Sequence, residues 1–282
     1  MLSDKFSLIF YCPEMKPISQ ISIFLFLFLL FSCSSEEKKT TNDSVVAQNS
    51  PLEQKHQTDS GNLEIKAVNG LQESNAVLYD ANGKILQKGK FMNDKPAGAW
   101  VKYDANGNVI SAIRYSDGKP VHSLDAEDFN FTTCARKEFG ASFSVPKKWK
   151  ENSVAQETFI SFFKDLHDST KLNPNFSFHR EKLQPGDNLE KLAQMQMQVL
   201  HENVGHVELI DKANIVIDSC NAIRCYGTFT DQRGTTGFMS AIILSGNDLW
   251  FLNCEAPNNK QGEFLEYQGV FQDVLESFRK IR

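Results

Sequence analysis

The residues of this chain that could do chemistry are its histidines, cysteines, serines and clustered carboxylates, and their spacing decides whether they do. His201 and His206 bracket Glu202-Asn203-Val204-Gly205, but a helical zinc pair needs histidines four apart, so that both face one way. A step of five turns the second by about 140°, and Gly205 ends the helix. Cys220 and Cys225 flank Asn-Ala-Ile-Arg, a spacing of four where a thiol redox site wants two. Zinc would want two close cysteine pairs or added histidines. Gly140-Ala-Ser142-Phe-Ser144 lacks the closing glycine of a nucleophile elbow and lies on a strand-like run. Asp104-Ala-Asn106-Gly107-Asn108 starts like a calcium loop, yet its glycine comes fourth rather than sixth and no bidentate glutamate follows. Asp165 and Asp168 beside His167 read as a solvated loop. No phosphate-cradling or dinucleotide glycine pattern occurs. The chain therefore reads as non-enzymatic, with no catalytic residues, no metal ligands and no cofactor.

The elements that would position any site begin with an address. Ile21 to Phe31 is an unbroken apolar run, within the ~7–15 residues of a signal-peptide core and short of the ~20 that span hydrocarbon. It meets Ser32-Cys33-Ser34-Ser35. The junction Leu30-Phe31-Ser32-Cys33 resembles a bacterial lipobox, which implies a signal peptide over 1–32 and a lipidated amino terminus at Cys33. An uncleaved helix from near Pro17 is the alternative. Asp4 and Glu14 sit poorly ahead of a signal peptide, whereas Met15 followed by Lys16 makes an ordinary start. Ser34-Ser35-Glu36-Glu37 resembles the small-then-acidic tract of Bacteroidetes lipoproteins, implying the outer membrane or cell surface. One acyl chain binds only marginally, so such anchoring uses two or three.

Residues 33–60 are polar, with no aromatic side chain, and read as a disordered tether. Net charge is −5, which argues against nucleic acid as a partner. Behind Cys12 and Cys33, four cysteines remain: Cys134, Cys220, Cys225 and Cys254. An oxidising envelope favours disulfides among them, with three connectivities open. Cys220 with Cys225 across a hairpin end, and Cys134 with Cys254, is the pairing expected here.

Residues 61–121 hold a repeat. Val77-Leu-Tyr79-Asp80-Ala-Asn82-Gly83 returns as Val101-Lys-Tyr103-Asp104-Ala-Asn106-Gly107. Each Asp-Ala-Asn-Gly lies between alternating apolar runs, where Asp bonds the turn backbone and Gly supplies positive φ, so each unit is a β-hairpin. Phe91, Trp100, Tyr103 and Tyr115 are expected to fill its inner face. Gly98-Ala-Trp100-Val-Lys-Tyr103-Asp-Ala-Asn-Gly107 with Gly89-Lys-Phe91 ahead of it resembles the MORN-repeat variant of bacterial envelope proteins. A repeat cannot cover its own apolar face, and this one must lean on a neighbour.

Residues 129–282 read as the largest domain. Phe139 to Pro146, Thr158 to Phe163, Asn175 to Glu181, Val207 to Ile217, Ile223 to Phe229, Gly237 to Leu244 and Leu249 to Cys254 alternate like strands. Their links are mostly too short for helices, so the sheet is antiparallel. Two helices are predicted. One is capped by Asp187, with Leu189, Leu192, Ala193, Val199 and Leu200 on one face. The other starts near Gly262, buries Phe264, Phe271, Val274, Leu275 and Phe278, and ends on Arg279-Lys280, whose charge suits the helix dipole. The order, with Gly140-x-x-Phe143-x-x-Pro146-x-x-Trp149, resembles the PsbP-like fold shared by the DcrB and Mog families. The expected class is thus α+β: a small antiparallel hairpin-repeat module, then an antiparallel sheet flanked by helices in a PsbP-like sandwich. That resemblance implies a binding or assembly accessory with an envelope protein as partner and the membrane reached through the lipid. The alternative is a carrier of a small hydrophobic ligand, with Phe159, Phe162, Phe163, Phe176 and Phe178 lining a cleft.

Overall fold

The computed structural model describes residues 53–58, 61–67, 73–152, 158–168, 171–204, 206–232, 234–260 and 262–281. The leader 1–32, Cys33 and the tether as far as residue 52 lie outside the described residues.

Short runs separated by turn residues fold into a seven-stranded antiparallel meander in chain order. Its strands are β1 (Glu53–Thr58), β2 (Gly61–Ala67), β3 (Glu73–Tyr79), β4 (Ile85–Met92), β5 (Lys95–Tyr103), β6 (Val109–Ser116) and β7 (Lys119–Leu124). The first falls inside the range read as tether. The repeated turns are chemically alike. Asp80 Oδ1 accepts from the backbone N–H of Asn82 and Lys84, and Asp104 Oδ1 from those of Asn106 and Asn108, all at 2.8 Å. Those bonds hold both carboxyls below the usual carboxylate range, led by the backbone N–H of Lys84 for Asp80 and by the Asn108 side chain for Asp104. Gly83 and Gly107 close the turns at φ 79° and 82°, a region open to glycine at no steric cost. The intervening turns, Asn93-Asp94 and Asp117-Gly118, have positive φ at both residues, which matches the twist of the strands they join.

A larger seven-stranded antiparallel sheet follows, ordered β10-β11-β12-β16-β15-β14-β13. It comprises β10 (Lys150–Glu151), β11 (Phe159–Phe163), β12 (Asn175–Lys182), β13 (Val207–Ile217), β14 (Cys220–Asp231), β15 (Gly234–Ser245) and β16 (Asp248–Pro257). A three-stranded sheet joins β8 (Phe131–Arg136), β9 (Ala141–Pro146) and β17 (Arg279–Lys280). Helix α1 (Leu189–Val204) covers one face of the larger sheet, where Ala193 packs with Ile223, Cys225, Ile242 and Leu249. Asn188, not Asp187, caps it: the Asn188 side chain accepts from the Lys191 backbone N–H at 2.9 Å. Helix α2 (Leu265–Glu276) lies on the other face. Phe271, Val274, Leu275 and, just beyond the helix, Phe278 are fully buried there among Met239, Trp250 and Leu252.

The α+β expectation is corrected. Among the described residues seventeen strands stand against two α-helices, so the protein is mostly antiparallel β-sheet. Strands β13 to β16 run to 11, 12, 12 and 10 residues, about twice the usual ~5–6. The meander also reaches back into polar sequence, because its first strands pair through backbone groups that composition does not reveal. Arg279 and Lys280, read as complements of a helix dipole, pair with Ser142 and Ala141 as β17. Arg279 still donates to the backbone carbonyls of Glu276 and Phe278, at 2.7 and 2.6 Å.

Candidate functional site

Successive side chains of a strand point to opposite faces, and β5 shows what this decides. Ala99, Val101 and Tyr103 join the core cluster on one side. Trp100 points the other way, with its ring across β4 at Gly89, where an added Cβ would meet Trp100 ring carbons at 2.2–2.6 Å. Only a residue without a side chain lets the indole lie there. Trp100 Nε1 donates to the Lys90 carbonyl at 3.1 Å, and Phe91 and Tyr115 stand edge-on to it at 5.2 and 6.1 Å. These three rings are half-buried on the outward face of the meander. The expectation of one aromatic inner face therefore fails at a definite point: Tyr103 is three residues from Trp100, an odd step, and faces inward alone.

Helix α2 holds the meander from behind. Gly269 is its contact point, where an added Cβ would sit 2.5 Å from Ala99 Cβ and 3.3 Å from the Phe129 ring. Lys88 Nζ pairs with Asp273 at 2.8 Å and Lys90 Nζ with Glu276 at 3.1 Å. The helix continues this polar seam into the larger sheet. Gln272 Nε2 donates to Glu276 at 2.8 Å, and Gln272 Oε1 accepts from the Tyr226 hydroxyl at 2.7 Å and from Arg224 at 3.3 Å. Burial pushes the Tyr226 hydroxyl up. Beside this seam Asp128 is buried, accepting from Trp149 Nε1 at 3.0 Å and from Lys164 at 2.6 Å. Burial pushes the Asp128 carboxyl up. These partners are side chains of this chain's own packed layers, so they read as cement between them.

The seam makes one pH-dependent prediction. Burial pushes the Asp273 carboxyl up, against the pull of Lys88. Burial works against the Lys88 charge too, but the Asp273 carboxylate and the Tyr103 hydroxyl together more than offset it and hold the ammonium above its ordinary value. Replacing Lys88 with methionine should cost about 1–3 kcal/mol near neutral pH. The lower half of that range is expected, since the two side chains keep 30% and 22% of their surface exposed. A carboxylate with a raised folded pKa loses stability as pH rises through the carboxylate range, because the unfolded chain gives up its proton first. The deficit of Lys88→Met against wild type should thus shrink on acidification to about pH 4. Urea midpoints at both pH values read this directly, and a pH-independent deficit would mean that the Asp273 charge is not its cause.

The residues singled out for chemistry scatter. His201 is exposed near the end of α1 and His206 is exposed beyond it. Asp165 Oδ1 accepts from the His167 backbone N–H at 2.8 Å and its Oδ2 pairs with Lys150 at 2.7 Å, while the His167 side chain is exposed. Ser144 lies on β9, its backbone N–H donating to Ser277 Oγ at 2.7 Å. Among the described residues no three His, Cys, Asp or Glu side chains gather in a way that could hold a metal ion.

The disulfide expectation is corrected: Cys134, Cys220, Cys225 and Cys254 are free thiols, and no two of them are close. Cys220 and Cys225 sit on the single strand β14. Five extended residues separate them by about 17 Å, against the ~7 Å limit for a bridge, and they face opposite sides. The reversal comes earlier, at Asp218-Ser219, with φ 48° and 63°. That pair of turn-formers was the signal that places Cys220 after the hairpin end. Cys134 is on β8 and Cys254 on β16, in different sheets. Burial pushes the thiols of Cys134, Cys225 and Cys254 up, which disfavours the reactive thiolate.

The cleft expected of Phe159, Phe162, Phe163, Phe176 and Phe178 does not form as a set. Phe162, Phe176 and Phe178 are buried in the core, with Phe143 at 6.2, 6.2 and 4.4 Å from their rings. Phe159 and Phe163, at odd steps from Phe162, are half-buried on the opposite face. Alternation along β11 is why.

No family model matches this chain, and no curated protein does. Solved structures similar to about half of it include the cyanobacterial PsbP of Synechocystis, at 11% identity and TM-score 0.42 over 54% of this chain and 92% of that one. The Ran-binding protein Mog1p of Saccharomyces cerevisiae is similar at 11% identity and TM-score 0.43, over 54% and 96%. LpqN of Mycobacterium tuberculosis, described as involved in cell envelope biogenesis, is similar at 12% identity and TM-score 0.42, over 50% and 83%. These are likenesses of fold only.

Proposed function

We propose that this chain is a non-enzymatic envelope lipoprotein, anchored through Cys33 to the outer membrane or cell surface, that binds a partner protein with the outward face of its MORN-like meander. The observation that carries the reading is the Trp100 ring laid over Gly89, with Phe91 and Tyr115 edge-on. Its reverse side is clamped by α2 through Gly269, Lys88 and Lys90, so the rings are held in place before any partner arrives. Rigid Trp and Tyr side chains of this kind dominate the energetics of protein recognition, and preorganisation lowers the cost of ordering them. The Leu30 to Cys33 junction supports the anchor.

The test is one experiment in intact cells. Labelled palmitate should enter wild type and not Cys33→Ala, and crosslinking should recover the same protein repeatedly from wild type. Gly89→Ala, which drives a methyl into the indole, and Trp100→Ala should each weaken that capture by about thirtyfold, the ~2 kcal/mol of a hot-spot residue. Recovery of no specific protein under several conditions, or capture by the two variants as strong as by wild type, would remove the reading.

A further inference from the structure

The repeated Asp-Ala-Asn-Gly turn carries chemistry as well as shape. In each repeat an asparagine stands directly before a glycine, Asn82-Gly83 and Asn106-Gly107, and all four residues are exposed. Glycine has no Cβ, so nothing shields its backbone nitrogen from the side-chain carbonyl of the asparagine before it. Attack there closes a succinimide ring: a bond forms from Gly83 N to Asn82 Cγ, the Cγ–Nδ2 bond breaks, and the amide nitrogen leaves as ammonia carrying the glycine's proton. Water then opens the ring at either carbonyl, leaving aspartate or isoaspartate. The same steps are open to Asn106 and Gly107.

The folded turn opposes the first step. Gly83 N–H donates to the Asp80 carbonyl at 3.1 Å, and Gly107 N–H to that of Asp104 at 3.0 Å. The nucleophile's proton is thus held, and its peptide plane is kept from swinging toward the asparagine side chain. Asp80 Oδ1 fastens the same turn through the N–H groups of Asn82 and Lys84, and Asp104 Oδ1 fastens its own through Asn106 and Asn108. We propose that Asn82 and Asn106 are sites of spontaneous deamidation, gated by the Asp80 and Asp104 side chains. Each event places a new carboxylate two residues from one that the turn bonds already hold below its usual range. Isoaspartate also adds a backbone atom where Gly83 or Gly107 keeps a φ of 79° or 82°, which loosens the hairpins β3–β4 and β5–β6. The modification stands whether or not the Trp100 face binds a protein.

The test follows the purified full chain in detergent and mildly alkaline buffer made with heavy-oxygen water, which labels carboxyls formed during the incubation. Peptide mass spectrometry reads both sites. In urea both should deamidate, and in the native chain both should be at least about tenfold slower, the factor that ~1.4 kcal/mol of local closure gives. Asp80→Ala should recover most of that factor at Asn82 and less at Asn106, and Asp104→Ala the reverse, each chain still unfolding cooperatively. Asp80→Asn, whose side-chain oxygen can accept the same two bonds, should keep Asn82 slow. Native rates equal to those in urea, an Asp80→Ala chain no faster at Asn82 than wild type, or no labelled carboxyl at either site in urea would overturn the proposal.

Discussion

Phe178→Ala is expected to remove about 3–5 kcal/mol of stability, the range for deleting a buried aromatic ring. The Phe178 side chain is 0% exposed. Its ring lies 4.4 Å from Phe143, 5.9 Å from Phe278, 6.2 Å from Phe176 and 6.4 Å from Phe139. Those neighbours come from β9 and the turn before it, from β12 itself and from the segment after α2, so the void opens where the two sheets and the last helix meet. None of them can close it without leaving its own contacts. Against a total of ~5–15 kcal/mol for an ordinary domain, the loss takes a large share. Urea unfolding followed by tryptophan fluorescence measures it, with Phe159→Ala on the half-buried opposite face as the comparison, expected to cost less than half as much. Equal and small losses at both positions would mean that Phe178 borders a space and not a packed core, and the ligand-carrier reading would regain its ground.

Gly269→Ala is expected to destabilise the protein by about 1–3 kcal/mol, the cost of overpacking, although alanine is the better helix former by ~1 kcal/mol. The sign follows from distance. The new methyl would sit 2.5 Å from Ala99 Cβ, closer than carbon atoms approach, so α2 and β5 must move apart. That movement also stretches the Lys88 and Lys90 ion pairs on the same face of the meander. Ala99→Gly in the same chain should recover most of the loss, and a double-mutant cycle on urea midpoints isolates the coupling. A stabilised Gly269→Ala would show that helix and strand do not touch there.

The comparison of Trp100 with Gly269 shows what could be read from sequence. The turns of the meander were legible, because Asp80 and Asp104 serve their own neighbours and act within five residues. So were both helices and the strands β9, β11, β12 and β13 to β16, since alternation and helical periodicity are written in adjacent residues. The Cys220–Cys225 pairing failed because it rested on where a turn fell: the chain reverses at Asp218-Ser219 and not at Asn221 to Arg224, which leaves both thiols on one extended strand.

What the chain's order of residues settles alone is local: its turns, the period of each segment, and the lipobox-like junction at Cys33, which stays a reading of sequence. Tertiary structure decided which face of the meander is outward, that α2 rather than a partner covers its back, and that β13 ends the larger sheet. The reason is physical. Hydrogen bonds inside a turn involve near neighbours, whereas the burial of Gly269 against Ala99 joins residues 170 apart, and no period or composition in either segment records the other.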